Sequence, residues 1–345
     1  MRVRILNSDT RFSAAPDQSL LDAALGACLN LPHSCKGGNC GSCRARLLQG
    51  EIYYPNGPPL GITPAEAAEG FVLLCQARAR SDVCIETFPV TTPGQTFIKR
   101  LPARIERALP LSHDVMGLYL KLPAAEDFQF EAGQYIDIML PGGRRRSFSI
   151  ASAPQDSQLL ELHVRRVAGG QFSEPLFNPT ARSALLHIEG PLGQFVYRAG
   201  SAPMLLVGGG TGIAPLLSIL KHLIGSGIAR DMAVYWGVRS ERDLYAQEML
   251  EELHRRAARL RYVPVLSEPS PEWPHRRGLV HEAVLEDIDD LHEHDVYAAG
   301  PPAMIAAVRR DFAARRVDFK RLYFDSFDYA PDSLAPQRSS AATKS

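Results

Sequence analysis

The sequence has no excess of either charge. Its 345 residues carry 38 lysines and arginines against 38 aspartates and glutamates, a formal net charge of zero, with no long block of one sign. A nucleic-acid footprint, which needs a clustered basic face, is therefore not expected. No run of 18 or more apolar residues occurs, so no membrane span is expected. The N-terminal MRVRILNSDT has no apolar core and no cleavage signal, which points to the cytoplasm rather than to secretion. Cysteine is scarce, six residues in all, and in a reducing compartment these are not a disulfide framework.

Their placement is the strongest signal in the chain. Cys35, Cys40 and Cys43 fall within nine residues in SCKGGNCGSC, and Cys75 follows 32 positions later in LLCQ. This is the plant-type 2Fe-2S spacing, Cys-x4-Cys-x2-Cys and a distant fourth. Four thiolates must converge on two irons, and Gly37, Gly38 and Gly41 let the intervening backbone take positive φ and approach the inorganic sulfides. A zinc site would show two short Cys-x2-Cys or Cys/His pairs, and here there is one, with x4 where the second should stand. Cys28 and Cys84 lie outside the pattern and read as small core residues. Cys35, Cys40, Cys43 and Cys75 are the expected metal ligands.

The fold class expected is multidomain, α+β and α/β. Residues 1–92 contain strand, strand, amphipathic helix (SLLDAALGACLNL), cysteine loop and further strands (ARLLQGEI, VCIETF), the order of a β-grasp ferredoxin domain. Residues 93–102 are rich in Thr, Pro and Gly and read as a linker. From 103 to 199 short strands recur with turn signals between them, which predicts an antiparallel β-barrel. From 200 to 330 strands alternate with helices, the pattern of a parallel sheet of Rossmann type. The tail, 331–345, has no apolar period and is expected to be disordered.

Three further segments carry phosphate-binding chemistry. MLLVGGGTGIAPLLSIL sets Gly208, Gly209, Gly210, Thr211 and Gly212 between an apolar strand and an apolar helix, which aims backbone amides at a pyrophosphate. RRSFSIAS and GGQFS, within the expected barrel, supply a cation, an aromatic face, hydroxyls and paired glycines.

Together these segments resemble the ferredoxin-NAD(P) reductase superfamily. RRSFSIAS is similar to its Arg-x-Tyr-Ser signature, with Phe148 in place of Tyr, and GGTGIAP to its nucleotide loop. The resemblance implies that Arg146 meets the flavin phosphate, Phe148 the isoalloxazine, and Ser149, the expected catalytic residue, the redox-active N5 atom. It assigns Gly169, Gly170 and Ser173 to the flavin pyrophosphate. It assigns Gly208–Gly212 to the nicotinamide nucleotide, and Arg239 and Arg242 to its adenosine ribose. YAAGPPAMI places Gly300 and Pro301 at the nicotinamide, with Ala299 where the family has Cys. Phe324, in YFDSF with Asp325 and Phe327, reads either as an aromatic shield over the flavin or as ordinary edge-strand packing.

The implied cofactors are a 2Fe-2S cluster, FAD rather than FMN, and NADH with NADPH as the alternative. Nicotinamide gives two electrons at once and the cluster takes one, so a flavin must convert between them. Within the family, AGQYIDIMLPGGRRRSFSIA, VYWGVRSERDLY and GLVHEAVLEDIDDL are similar to the reductases of CDP-deoxyhexose (glucoseen) 3-dehydrase systems. The expected partner is accordingly an electron-accepting dehydrase; an aromatic or di-iron oxygenase component is the alternative and a redox sensor the third reading. The acceptor is expected to dock on Lys36, Asn39 and Ser42, between the ligands, and the protein to be a monomer.

Overall fold

The structure, a computed structural model, describes residues 1–6, 10–27, 29, 31–33, 36–38, 41–59, 61–87, 98–178 and 185–326. Cys28, Cys35, Asn39, Cys40, Phe327 and the 331–345 tail lie outside these residues.

Alternation of apolar and polar residues organises the N-terminal sheet. Val3 and Ile5 are buried while Arg2 and Arg4 face out. The sheet runs Thr10–Ser13, Arg2–Ile5, Val83–Thr87, Arg44–Gln49, Phe71–Leu73, with Arg2–Ile5 and Val83–Thr87 parallel and the other neighbours antiparallel. Across its apolar face lies the helix Leu20–Gly26, which buries Leu20, Leu21, Ala24 and Leu25. Ser19 caps it by accepting from the Asp22 amide. The expected helix runs on to Leu31, but the observed one stops at Gly26, a poor helix former at the point where the chain must turn into the cysteine loop. Similarly, ARLLQGEI is not one strand. Gly50, at φ +90, turns the chain, a Cβ there would collide with the Asp82 carbonyl, and Ile52–Tyr53 pairs instead with Arg78–Ala79.

The second sheet is wholly antiparallel: Arg145–Ser149, Tyr135–Met139, Leu185–Leu192, Lys99–Pro110, Val115–Lys121, Leu159–Arg165. Its long strand Lys99–Pro110 begins inside the segment expected as linker. Leu118, Leu120, Ile136, Ile138, Leu160, Leu162 and Ile188 point into the centre fully buried, each contributing about 1.5–3 kcal/mol by leaving water. The two end strands meet at a single bridge, Ile150 to Leu162. Beyond that bridge the barrel is open between Arg145–Ser149 and the end of Leu159–Arg165.

The third sheet is wholly parallel, in the order Arg276–Arg277, Leu260–Leu266, Met232–Val238, Met204–Gly209, Asp295–Gly300, Leu322–Ser326. Helices Ile213–Gly225, Gln247–Arg256, Val280–Asp287 and Pro302–Ala313 cover it. Strand order reverses between Met204–Gly209 and Asp295–Gly300, and the crevice beyond the carboxyl ends of such strands is where ligands bind in this architecture. No helix among the described residues is long and apolar enough to cross a membrane.

The three units share core. Tyr135 and Leu192 of the barrel join the apolar cluster of the N-terminal sheet, and the barrel's Ala132 and Phe195 join one of the third sheet.

Candidate functional site

The cysteine loop is built for close backbone approach. Lys36, Gly38 and Gly41 have φ of +53, +82 and +76, and a Cβ on Gly38 would meet Gln76 Cγ at 2.8 Å and Pro59 Cβ at 3.0 Å. Cys43 and Cys75 are brought together: both are buried, and the Cys75 amide donates to Cys43 Sγ at 3.5 Å. Cys84 sits on the Val83–Thr87 strand and takes no part. An iron-sulfur group fits this donor set, because an N–H aimed at a thiolate sulfur is the kind of bond that tunes such clusters. Cys35 and Cys40 lie outside the described residues.

Lys36 points inward rather than outward. Its Nζ donates to Asp137 Oδ2 at 3.0 Å, and Asp137 also accepts from Ser147 Oγ at 2.5 Å. Arg145 approaches the same carboxylate and pairs with Glu189, as does Arg100. The cysteine loop is thereby fastened to the barrel by ion pairs to two buried carboxylates, and the Lys36 ammonium is engaged there although 23% of its side chain stays exposed. Beside it His33 is buried, its Nδ1 on the Leu31 carbonyl at 2.6 Å. Burial, reinforced by Lys36, pushes its imidazole down to about 4, so the ring is neutral at pH 7. Cys75, though buried, lines a cleft of about 540 Å³ together with Asp17, Asp22, Asn56, Gln76 and Arg78.

Both flavin motifs border the opening in the barrel. Phe148 and Phe172 meet with ring centroids 5.4 Å apart, which joins RRSFS to GGQFS. Arg146 and Phe148 are half-buried and Ser149 is buried. Gly170 is required by its own turn, since a Cβ would stand 2.8 Å from both Ser173 Oγ and the Val167 carbonyl. Ser173 Oγ accepts from the Val167 amide at 3.0 Å, and the Gly169 amide donates outward to the solvent-facing Glu174 carboxylate at 2.7 Å. The turn thus presents a backbone N–H to an anion, the chemistry a phosphate site needs, and in this structure that anion is the Glu174 carboxylate, itself paired with Arg166.

The nucleotide loop lies at the strand-order reversal. Gly208 and Gly209 end their strand, Gly210–Gly212 form a short turn, and the 13-residue helix Ile213–Gly225 begins immediately, with Pro215 in its first turn, where no amide is needed. Here glycine is a steric necessity. A Cβ on Gly209 would meet Met304 Sδ at 2.5 Å and Pro301 Cδ at 3.0 Å, and one on Gly212 would collide with the Ala299 carbonyl. Gly208–Gly212 and Gly300–Pro301 thus form one cradle that fits a dinucleotide pyrophosphate at a helix start. Arg239 and Arg242 are exposed, and no ion pair holds either guanidinium among the described residues.

The last strand closes the arrangement. Ala299 is in register with Gly208 on one side and Asp325 on the other, and Asp325, buried, accepts from Ser149 Oγ at 3.2 Å. Phe324 turns to the opposite face, where it packs against the Pro302–Ala313 side of the sheet with Arg309 5.9 Å above its ring. The residue meeting Ser149 is therefore Asp325, and Phe324 is packed elsewhere.

Sequence reasoning missed a second seam. Glu161, buried on the Leu159–Arg165 strand, accepts from Tyr119 Oη at 3.2 Å and from Lys221 Nζ at 2.6 Å, and its Oε1 lies 3.2 Å from His163 Nε2. His163 Nδ1 lies 3.1 Å from Tyr245 Oη, whose ring is edge-on to Trp236, and Trp236 Nε1 donates to the Gly210 carbonyl at 2.9 Å. Burial pushes the Glu161 carboxyl up, but His163 and Lys221 overcome it and hold it near 2. From the same strand Arg165 reaches Gly210: a Cβ there would stand 3.1 Å from its Nη1. Nothing local in ELHVRRV signals that its polar residues face another domain.

Comparison with known proteins agrees along the chain. Residues 3–80 match a 2Fe-2S iron-sulfur cluster binding domain, 102–197 an oxidoreductase FAD-binding domain, and 206–310 an oxidoreductase NAD-binding domain. The chain is 36% identical to the CDP-6-deoxy-L-threo-D-glycero-4-hexulose-3-dehydrase reductase of Yersinia pestis, over 95% of this chain and 98% of that protein. It is 35% identical to the reductase subunit of an aromatic O-demethylase from Amycolatopsis sp., over 92% and 96%. Among solved structures, an Amycolatopsis cytochrome P450 reductase superposes with a TM-score of 0.79 at 33% identity, covering 95% of this chain and 98% of that one.

Proposed function

The chain belongs to the ferredoxin-NAD(P) reductase superfamily of iron-sulfur flavoproteins, and from that membership we propose that it reduces the dehydrase of a CDP-deoxyhexose pathway. It is an NAD(P)H-dependent oxidoreductase with 2Fe-2S, FAD and NAD domains. When bound, the nicotinamide supplies a hydride, the flavin divides it into single electrons, and the cluster passes these on one at a time.

The residues serve that chemistry as follows. Cys35, Cys40, Cys43 and Cys75 hold the cluster. Arg146, Gly169, Gly170 and Ser173 bind the flavin phosphates and Phe148 its ring. The amides of Gly208–Gly212, with Gly300 and Pro301, bind the nicotinamide nucleotide, and Arg165 adds a cation from the barrel side. Asp325 accepts a hydrogen bond from the Ser149 hydroxyl and so fixes its oxygen where the barrel and the nucleotide sheet meet. Arg239 and Arg242, unpaired and exposed, suit the adenosine ribose of NADH and tolerate a 2′-phosphate.

The observation that carries the reading is convergence. The cysteine loop is tied to the flavin barrel through Lys36 and Asp137, and the barrel meets the nucleotide sheet through Ser149 and Asp325. Likeness to the Yersinia dehydrase reductase along nearly its whole length favours a sugar dehydrase as acceptor; the Amycolatopsis likeness supports an oxygenase component as the second reading. Stopped-flow mixing of the reduced protein with purified dehydrase, and separately with oxygenase components from the same genome, tests it. Fast cluster reoxidation by the dehydrase is expected; reoxidation by an oxygenase alone overturns the sugar assignment.

A further inference from the structure

Arg309 belongs to the nucleotide-domain helix Pro302–Ala313, yet it reaches the cysteine loop. A Cβ on Gly41 would lie 3.6 Å from its Nη1, and Gly41 sits between Cys40 and Cys43. On its other side the guanidinium lies over Phe324, the neighbour of Asp325. Arg309 is half-buried, and no carboxylate stands within ion-pair distance of it among the described residues. Its charge is felt by Glu66, which is already paired with Arg44. Burial raises the Glu66 carboxyl, and the Thr63 amide and hydroxyl, then Arg44 and Arg309, bring it below its ordinary range.

An unpaired, partly desolvated cation costs free energy unless something anionic stands beside it. Gly41 lies two residues before Cys43, so the anion expected beside it is the cluster that the cysteines would hold, whose charge becomes more negative by one when an electron arrives. We propose that Arg309 is a positioning residue for electron transfer: its charge holds the cysteine loop against the nucleotide domain and raises the reduction potential of the cluster, favouring flow from flavin to cluster. The step is a one-electron transfer from reduced flavin to the cluster, the flavin having taken two electrons from NAD(P)H as hydride and passing them on singly, with no bond made or broken at Arg309. The inference rests on the reading of Cys35, Cys40, Cys43 and Cys75 as the ligands.

The test is an EPR-monitored redox titration of the full-length holoprotein, comparing the native chain with Arg309→Gln and Arg309→Lys. Arg309→Gln is expected to lower the flavin-to-cluster electron-transfer equilibrium constant on the order of tenfold, which for a one-electron couple is about 59 mV in cluster potential. Arg309→Lys, which keeps the charge, is expected to restore most of it, and the flavin couple is expected to move less than the cluster's. An unchanged cluster potential in Arg309→Gln overturns the proposal, as does a Lys variant that falls as far as the Gln variant, or a flavin couple that shifts equally. Absence of any 2Fe-2S signal in the native protein would instead overturn the ligand assignment.

Discussion

Ser149 Oγ donates to Asp325 Oδ2 across 3.2 Å, from the flavin barrel to the last strand of the nucleotide sheet, 176 residues away in sequence. That is long for a hydroxyl bonded to a carboxylate, whose usual separation is about 2.7 Å, so the hydroxyl is directed without being locked. Replacing Ser149 by Ala, or Asp325 by Ala, is expected to leave flavin bound on gel filtration and to slow its reduction by NADH by roughly ten- to thousandfold. Arg146→Ala is expected to lose the flavin. Equal flavin loss in all three variants would make Ser149 and Asp325 structural only.

The proposed cluster cysteines that the structure describes separate from Cys84 by position. Cys43 and Cys75 share a hydrogen bond in the buried loop, whereas Cys84 is a strand residue. Cys43→Ala or Cys75→Ala is expected to bleach the visible cluster bands while NADH oxidation by ferricyanide persists through the flavin. Cys84→Ala is expected to keep both. Bleaching in Cys84→Ala contradicts the assignment.

The readable part of this protein was local. Cysteine spacing, the glycine loops and the alternation of strands with helices are short-range patterns: the first led to the 2Fe-2S domain that the family match finds over residues 3–80, the others to turns, strands and helices that the structure contains. What escaped were relationships made by domain docking. Lys36 meets Asp137 over 101 residues, Arg165 meets Gly210, and Arg309 meets the cysteine loop, while the sequence around each reads as ordinary solvated arginine or lysine. Lys36 was expected on a docking surface because it lies between the ligands in sequence, and the sequence could not show that its ammonium meets Asp137. Phe324 and Asp325 show the same limit at finer scale, since period-two alternation says that they face opposite ways but not which one faces the barrel.

Breaking the Lys36–Asp137 pair is expected to loosen the cysteine loop from the barrel. Lys36→Met leaves Asp137 buried with its other partners, and because Lys36 retains 23% side-chain exposure the loss is roughly 1–3 kcal/mol, short of a fully buried pair. Thermal unfolding should fall accordingly, and NADH-driven reduction of cytochrome c should drop while that of ferricyanide holds. Unchanged cytochrome c reduction would show that the pair does not set the cluster's position.

Glu161 links acid stability to the barrel–nucleotide seam. Its folded-state carboxyl is held near 2, below the ordinary 4.5, so its contribution is fully present above about pH 4.5 and is lost as pH falls toward 2. The shift corresponds to roughly 3 kcal/mol. Glu161→Gln is expected to be less stable at pH 7 and to show a flatter unfolding midpoint between pH 4.5 and 2. A variant with the native slope would place the acid sensitivity elsewhere.

The central claim is that electrons entering from nicotinamide reach the cluster through the flavin within one chain. An anaerobic stopped-flow and rapid-freeze EPR measurement on the holoprotein with NADH tests it directly. The account predicts flavin bleaching first, followed by the EPR signal of a reduced 2Fe-2S cluster, with both absent when NADH is omitted. A flavin that bleaches while the cluster stays oxidised, although dithionite reduces it, would contradict the account.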